Sequence, residues 1–147
     1  MLKINENEIQ ELCRHAANEY PKECCGILLG NRKTGSVQKI CRAENVADID
    51  RQNTHFLMNP LELYRAELQA DSLNMEIVGF YHSHADYPPV LSKEDESAMI
   101  QGCIYMIISV MNGRCGDIKC FKKRDFLDAA CEIQTNIKYR QVKRESQ

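Results

Sequence analysis

The chain of 147 residues has no apolar run long enough to cross a bilayer. Its longest stretches, such as Ile104 to Met111, fall far short of the roughly 20 residues a spanning helix needs. There is no apolar leader either, since Met1 to Gln10 is polar and acidic, so a cytoplasmic chain with no membrane partner is expected. A basic surplus is also missing: the formal net charge is -2, whereas phosphate recognition calls for clustered Lys and Arg, and no nucleic-acid partner is expected. Only Lys138, Arg140, Lys143 and Arg144 run against this, and they read as a solvated, flexible tail over 138–147. With no repeats, low-complexity tracts or linkers, the 44% hydrophobic and 27% charged residues suit one globular domain over 1–137.

Cysteine is plentiful, but its eight copies contain no Cys-x-x-Cys pair, so neither a zinc ribbon nor a thioredoxin-type redox motif is supported. Without a signal peptide the thiols are expected to stay reduced and to act mostly as small buried hydrophobes. Cys24 and Cys25 flank the candidate site described below without belonging to it.

Hydrophobic periodicity orders the elements. Ile9, Leu12, Cys13, Ala16, Ala17 and Tyr20 recur at helical spacing, with Asn5 and Glu8 as a capping pair and Pro21 as the stop, which predicts an amphipathic helix from Glu6 to Tyr20. Cys24 to Gly30 and Val37 to Arg42 read as a hairpin across the turn 31–35, and Thr54 to Met58 as a further short strand. Asn59-Pro60-Leu61-Glu62 carries cap, N1 proline and N3 glutamate for a helix to Leu73. Glu76 to Tyr81 is a strand, Asp86 to Pro89 a loop, and Ser92 opens a helix to Gly102. Tyr105 to Met111 and Asp117 to Lys123 pair across Asn112-Gly113, and Ala129 to Ile137 forms a last strand. Interleaved helices and hairpins predict an α/β chain with a mixed central sheet flanked by helices.

The chemistry concentrates in His82-Ser83-His84, followed after seven residues by Ser92 and after two more by Asp95. Two imidazoles two residues apart at a strand end point to one face, where both reach one metal ion while Asp95 closes the set from a neighbouring helix. Structural zinc sites are usually closed by four protein ligands; three leave a position for a water that is activated near neutral pH. Zinc is the expected ion, although His and carboxylate ligands also accept iron or manganese. Ser92-x-x-Asp95 is in addition a helix capping box, and the two roles coexist. His15 reads as a helix-surface residue, and His55 as a strand residue that is structural or, as the second choice, lines the cleft. Glu23, beside Lys22, reads by itself as a solvated carboxylate.

This spacing, together with Pro21-Lys22-Glu23-Cys24-Cys25-Gly26 upstream, resembles the JAMM (MPN+) zinc metalloprotease family in its short prokaryotic form, over nearly the whole chain. The resemblance implies the JAMM/MPN fold, akin to that of cytidine deaminases. It also implies zinc ligands at His82, His84 and Asp95, a general base and acid at Glu23, and an oxyanion hydrogen bond from Ser92. The implied reaction is hydrolysis of the amide or isopeptide bond after the C-terminal Gly-Gly of a ubiquitin-like or sulfur-carrier protein, with a zinc-bound water as nucleophile. Ala85 departs from the proline common at that position, and Pro88-Pro89 stiffen the same loop instead. The substrate tail is expected to lie extended against a strand edge near Val78 to His82 or against the Val90 loop.

Two other classes compete. A non-catalytic scaffold of the same fold would have lost its metal motif, which is intact here. A zinc deaminase would carry His-x-Glu and Pro-Cys-x-x-Cys, and neither occurs. DNA repair, with which some bacterial relatives of similar motif are linked, is disfavoured by the acidic balance.

Overall fold

The computed structural model describes residues 1–124 and 129–137; the basic tail falls outside them. Helix α1 (Glu6–Glu19) begins as its sequence directs: Asn5 Oδ1 accepts the Glu8 amide at 3.2 Å, and Glu6 and Glu8 occupy the electropositive first turn. The strands are β1 (Lys3–Ile4), β2 (Cys25–Asn31), β3 (Ser36–Ala43), β4 (Glu76–Ala85), β5 (Ile104–Met111), β6 (Arg114–Lys122) and β7 (Cys131–Ile133). They form one sheet in the order β1-β3-β2-β4-β5-β6-β7, with β1–β3 and β4–β5 parallel and the other pairs antiparallel. The mixed sheet flanked by helices is therefore present.

Ile9, Leu12 and Ala16 of α1 pack with Leu28, Val78, Tyr81, Met106 and other sheet residues into the larger core. Truncating a fully buried leucine such as Leu12 in such a core costs about 2–5 kcal/mol. Helix α2 (Pro60–Ser72) covers the opposite face, setting Ala66 and Ala70 on Ile27 and Leu29. Asn59 caps it as expected, accepting the Leu61 amide at 3.0 Å, while Glu62 turns away to accept the Glu44 amide at 3.4 Å. The two outer strands meet: Leu2 bridges Thr135 in parallel, and Asn136 Oδ1 accepts the Ile4 amide at 3.1 Å, so the sheet curls shut.

The residues of β4 do not simply alternate. Leu28 pairs with Gly79 and Leu29 with Ile77, so Val78 is an extra residue, a one-residue bulge. Across it, Ile77 and Phe80 both join the α2 side, and Val78 and Tyr81 both join the α1 side. Gly79 is required here for closeness: a Cβ would land on the Ile104 carbonyl of the parallel neighbour β5.

Several expected elements are shorter or absent, each because its backbone groups bond elsewhere. Thr54 to Met58 is not a strand: the Leu57 amide bonds Asn45 Oδ1 and the His55 amide bonds the Arg51 carbonyl, leaving only an isolated Asn45–Met58 bridge. The helix from Ser92 does not reach Gly102. As α3 (Lys93–Ser97) it stops after five residues, and the Ile100 amide goes to the Tyr105 hydroxyl at 2.8 Å. The last strand is confined to Cys131–Ile133, since the following residues turn to pair with Leu2 instead. His15 is not on the helix surface; it is buried, 2.7 Å from the Tyr81 hydroxyl, and burial, aided by Arg42, lowers its pKa to about 4. The expectation of reduced cysteines also fails at one pair. Cys13 on α1 and Cys115 on β6 face each other with a Cα–Cα distance of 5.4 Å, inside the bridging range, and are joined as a disulfide. Cys24, Cys25, Cys103 and Cys120 are buried free thiols, as expected of small hydrophobes.

Gly79→Ala is expected to destabilise the fold by about 3 kcal/mol, read as a lower urea midpoint at unchanged slope. A wild-type midpoint would mean that β4 and β5 are free to part.

Candidate active site

Beyond the bulge, His82 and His84 fall on the α2 side of the sheet, while Ser83 between them points the other way. Its Oγ accepts the Cys24 amide at 2.8 Å. Asp95, in the first turn of α3, brings its carboxylate over the two rings. His82 Nε2 and His84 Nε2 lie 3.3 Å apart, and Asp95 Oδ2 lies 3.3 Å from the first and 3.8 Å from the second. A tetrahedral zinc with bonds of about 2.0–2.1 Å holds its donors about 3.4 Å from each other. Among the described residues this is the one group of three or more His, Cys, Asp or Glu ligand atoms close enough to share an ion.

The electrostatics suit a cation. Burial drives His82 toward its neutral form. His84 is also penalised by burial, but Asp95, the Pro88 carbonyl and Glu23 outweigh this and raise its pKa. Asp95 pays a desolvation cost too, yet its hydrogen bonds with both histidines and the Ser92 contact hold it well below the usual carboxylate range. The cluster thus calls for positive charge, which a divalent ion supplies. His84 Nδ1 lies 2.8 Å from the Pro88 carbonyl; donating there leaves Nε2 with a free lone pair. Phe56 stacks on His82, with ring centroids 4.5 Å apart and planes at 23°.

Glu23, 6% exposed, sits just before β2 and is not the solvated carboxylate its neighbours suggest. It shares a cleft of about 570 Å³ with His84, Ser92, Asp95 and the 53–58 segment. Burial raises its pKa from 4.5 to about 8; His84 opposes this, and Asp95 and Glu94 add to it. Ser92 Oγ caps α3 by accepting the Asp95 amide at 2.9 Å, and its hydroxyl bonds the Asp95 carboxylate, which helps to keep that group ionised. All five expected site residues therefore come together, and Cys24 and Cys25 stay outside the cleft lining.

His55 is not on a strand; of its two expected roles it takes the second, lining the cleft, and it reaches Glu94 at 3.5 Å. Phe56 and Tyr87 were not anticipated at all. The signal in the sequence is the adjacent His55 and Phe56 just before the Asn59 cap, a pattern that a short strand accounts for equally well. The expected docking edge also needs correction: Val78 to His82 lie on a central strand paired with β2 on one side and largely with β5 on the other, so no main-chain edge is open there.

The profile of prokaryotic homologs of the JAB domain matches residues 5–122. The chain belongs to this family. A desampylase of Haloferax volcanii is 35% identical over 64% of this chain and 67% of its own, and one of Pyrococcus furiosus is 30% identical over 52% and 51%, so the chain spans about half of the latter. A Desulfitobacterium hafniense protein of known solution structure is 27% identical, with a TM-score of 0.79 over 95% of this chain and 94% of that one. A JAB1/MPN domain protein from Archaeoglobus fulgidus shares the fold at 16% identity and a TM-score of 0.52, covering 92% and 96%. The prokaryotic JAB chain described here is thus a short JAMM/MPN member, as its motif implied.

The buried carboxyl gives this JAB domain a pH signature. Because the folded pKa of Glu23 lies above its unfolded value, the neutral group favours folding fully below pH 4.5, and that contribution is lost as pH rises through about 8. Glu23→Gln stays neutral throughout. In chelated protein its melting temperature should pull ahead of wild type progressively from about pH 5 to about pH 8 and then hold level; a pH-independent gap would refute the shift.

Proposed function

We propose that this JAB-family chain is a zinc-dependent peptidase or isopeptidase that hydrolyses the amide bond after the C-terminal Gly-Gly of a ubiquitin-like or sulfur-carrier protein. The convergence of His82 Nε2, His84 Nε2 and Asp95 Oδ2 at near-tetrahedral separations, in one cleft with Glu23 and Ser92, carries this reading. The family membership and the desampylase relatives support a hydrolase.

His82, His84 and Asp95 would hold the zinc, which when bound supplies Lewis acidity toward a carbonyl and makes water acidic enough to lose a proton near neutral pH. Glu23 takes a proton from the attacking water at its carboxylate and returns it to the departing amine. Its raised pKa places it close to the operating pH, where a group can both accept and give back a proton, and a nearby cation draws that pKa down toward neutrality. Ser92 turns its hydroxyl proton to the oxygen that gains charge as the carbonyl is attacked. Phe56 and the Pro88 carbonyl keep the two imidazoles in place. A Gly-Gly tail has no side chains to clear the cleft walls at Phe56, Met58 and Tyr87, which favours such a substrate.

The test is cleavage of a small ubiquitin-like carrier extended after its Gly-Gly. Zinc-loaded wild type should cut it and chelated protein should not, Glu23→Ala should be slower by about 100-fold to 10,000-fold, and Ser92→Ala should be slower on the order of 100-fold to 1000-fold. Stoichiometric zinc without cleavage of any carrier would leave the metal site and reject the substrate class; no zinc binding would reject the catalytic reading.

A further inference from the structure

Asn45 lies just past β3, outside the cleft lining, and its side-chain amide is saturated. Nδ2 donates to the Glu23 carbonyl at 2.9 Å and to the His55 carbonyl at 3.0 Å. Oδ1 accepts the Ala47 amide at 3.0 Å and the Leu57 amide at 3.1 Å. A primary amide has two donors and two acceptor sites, and all four are used. The orientation is determined by the partners, since a flipped amide would set oxygen against two carbonyls and N–H against two N–H groups. Gln52 completes the arrangement: its carbonyl accepts the Glu23 amide at 2.7 Å, and its side chain donates to the Asn45 and Ala47 carbonyls at 3.1 and 2.8 Å.

Both backbone groups of Glu23 are therefore anchored on the 45–57 segment, and that segment is the cleft wall that presents Phe56 to His82. Nothing else in this segment is regular beyond one short 3-10 turn at Ile49–Arg51 and the Asn45–Met58 bridge. Its placement relative to Glu23 depends on these side-chain amides in a way that a strand or helix would not.

We infer that Asn45 is a positioning residue for the hydrolysis proposed above, holding Glu23 and the His55–Leu57 wall as one unit, and that the reaction depends on its two N–H donors rather than on its bulk. The inference rests on that reading for Glu23 as the proton carrier. Asn45→Asp separates donors from shape: it keeps the size and the two bonds from Ala47 and Leu57, but turns an oxygen toward the Glu23 and His55 carbonyls. Asn45→Ala removes all four bonds.

The experiment measures kcat on the Gly-Gly-extended carrier, zinc affinity, and amide exchange in the metal-free protein for wild type, Asn45→Asp, Asn45→Ala, Glu23→Ala and the double variant Glu23→Ala/Asn45→Asp. Asn45→Asp should lower kcat on the order of 100-fold, as a small misplacement of a reacting group does, with zinc affinity unchanged. Added to Glu23→Ala it should lower kcat no further, because groups acting as one unit are non-additive. In Asn45→Ala, exchange at Glu23 and Leu57 should quicken about tenfold. Wild-type kcat in Asn45→Asp, or a further loss on the Glu23→Ala background, overturns the inference while leaving the proposed function standing. Full activity in Glu23→Ala overturns both. Unchanged exchange at Glu23 and Leu57 overturns the inference whatever the activity; failure of Asn45→Ala to fold leaves Asn45→Asp to decide it.

Discussion

Slipping a strand by one residue moves every side chain to the other face of its sheet, and β4 uses that fact within a single strand. Its first half must cover a core, its second half must deliver two imidazoles, and the extra residue at Val78 reconciles the two. Without it, strict alternation would put His82 and His84 on the face of Val78, under α1 among Leu12 and Met106 and away from Asp95. With it, the imidazoles share the α2 face with Ile77 and Phe80, and Ser83 takes the inward position and clasps Cys24. The same clasp fixes Cys24 at the entry to β2, and so the residue before Cys24, Glu23.

The site works against the usual energetics of burial. Two imidazoles, a glutamate and a partly buried aspartate are withdrawn from water in one small volume, and each is penalised for carrying charge there. Such a cluster is tolerable only when its members satisfy one another or share a cation. The surrounding scaffold supplies the rest. Ser109 Oγ donates to the Tyr87 carbonyl at 2.7 Å, and Asp86 accepts the Tyr20 hydroxyl at 2.5 Å and the Asn112 amide at 2.7 Å, so the loop after β4 is pinned where it leaves the strand. The strand end that carries the two histidines is thereby stiffened by contacts made outside the His82, His84 and Asp95 cluster.

What the sequence disclosed follows from the range of each interaction. The Asn5 and Asn59 caps, the apolar stripe of α1 and the Asn112-Gly113 turn are set by neighbours within a few residues, and the structure has them where they were expected. The bulge, the burial of His15 and the Cys13–Cys115 pair depend on partners far along the chain; nothing within a window of ten residues announces them. At the site the same division holds. The His82, His84, Ser92 and Asp95 register was legible because one strand, one loop and one helix turn are contiguous in sequence. Glu23 required the family resemblance, and the 45–57 wall stayed hidden because its order comes from side-chain amides rather than from periodic backbone bonding.

The seam that joins Leu2 to Thr135 also sets a schedule. Most pairings in this sheet link strands that are near in sequence, but this one spans almost the whole described chain, and loop closure of that length is among the slowest steps a small domain takes. During synthesis, β1 can settle on β3 early, yet its outer side waits with unpaired backbone until residues 134–136 emerge. Until then the nascent molecule exposes a strand edge that its finished form hides, and the hazard of pairing with a neighbour is confined to that interval.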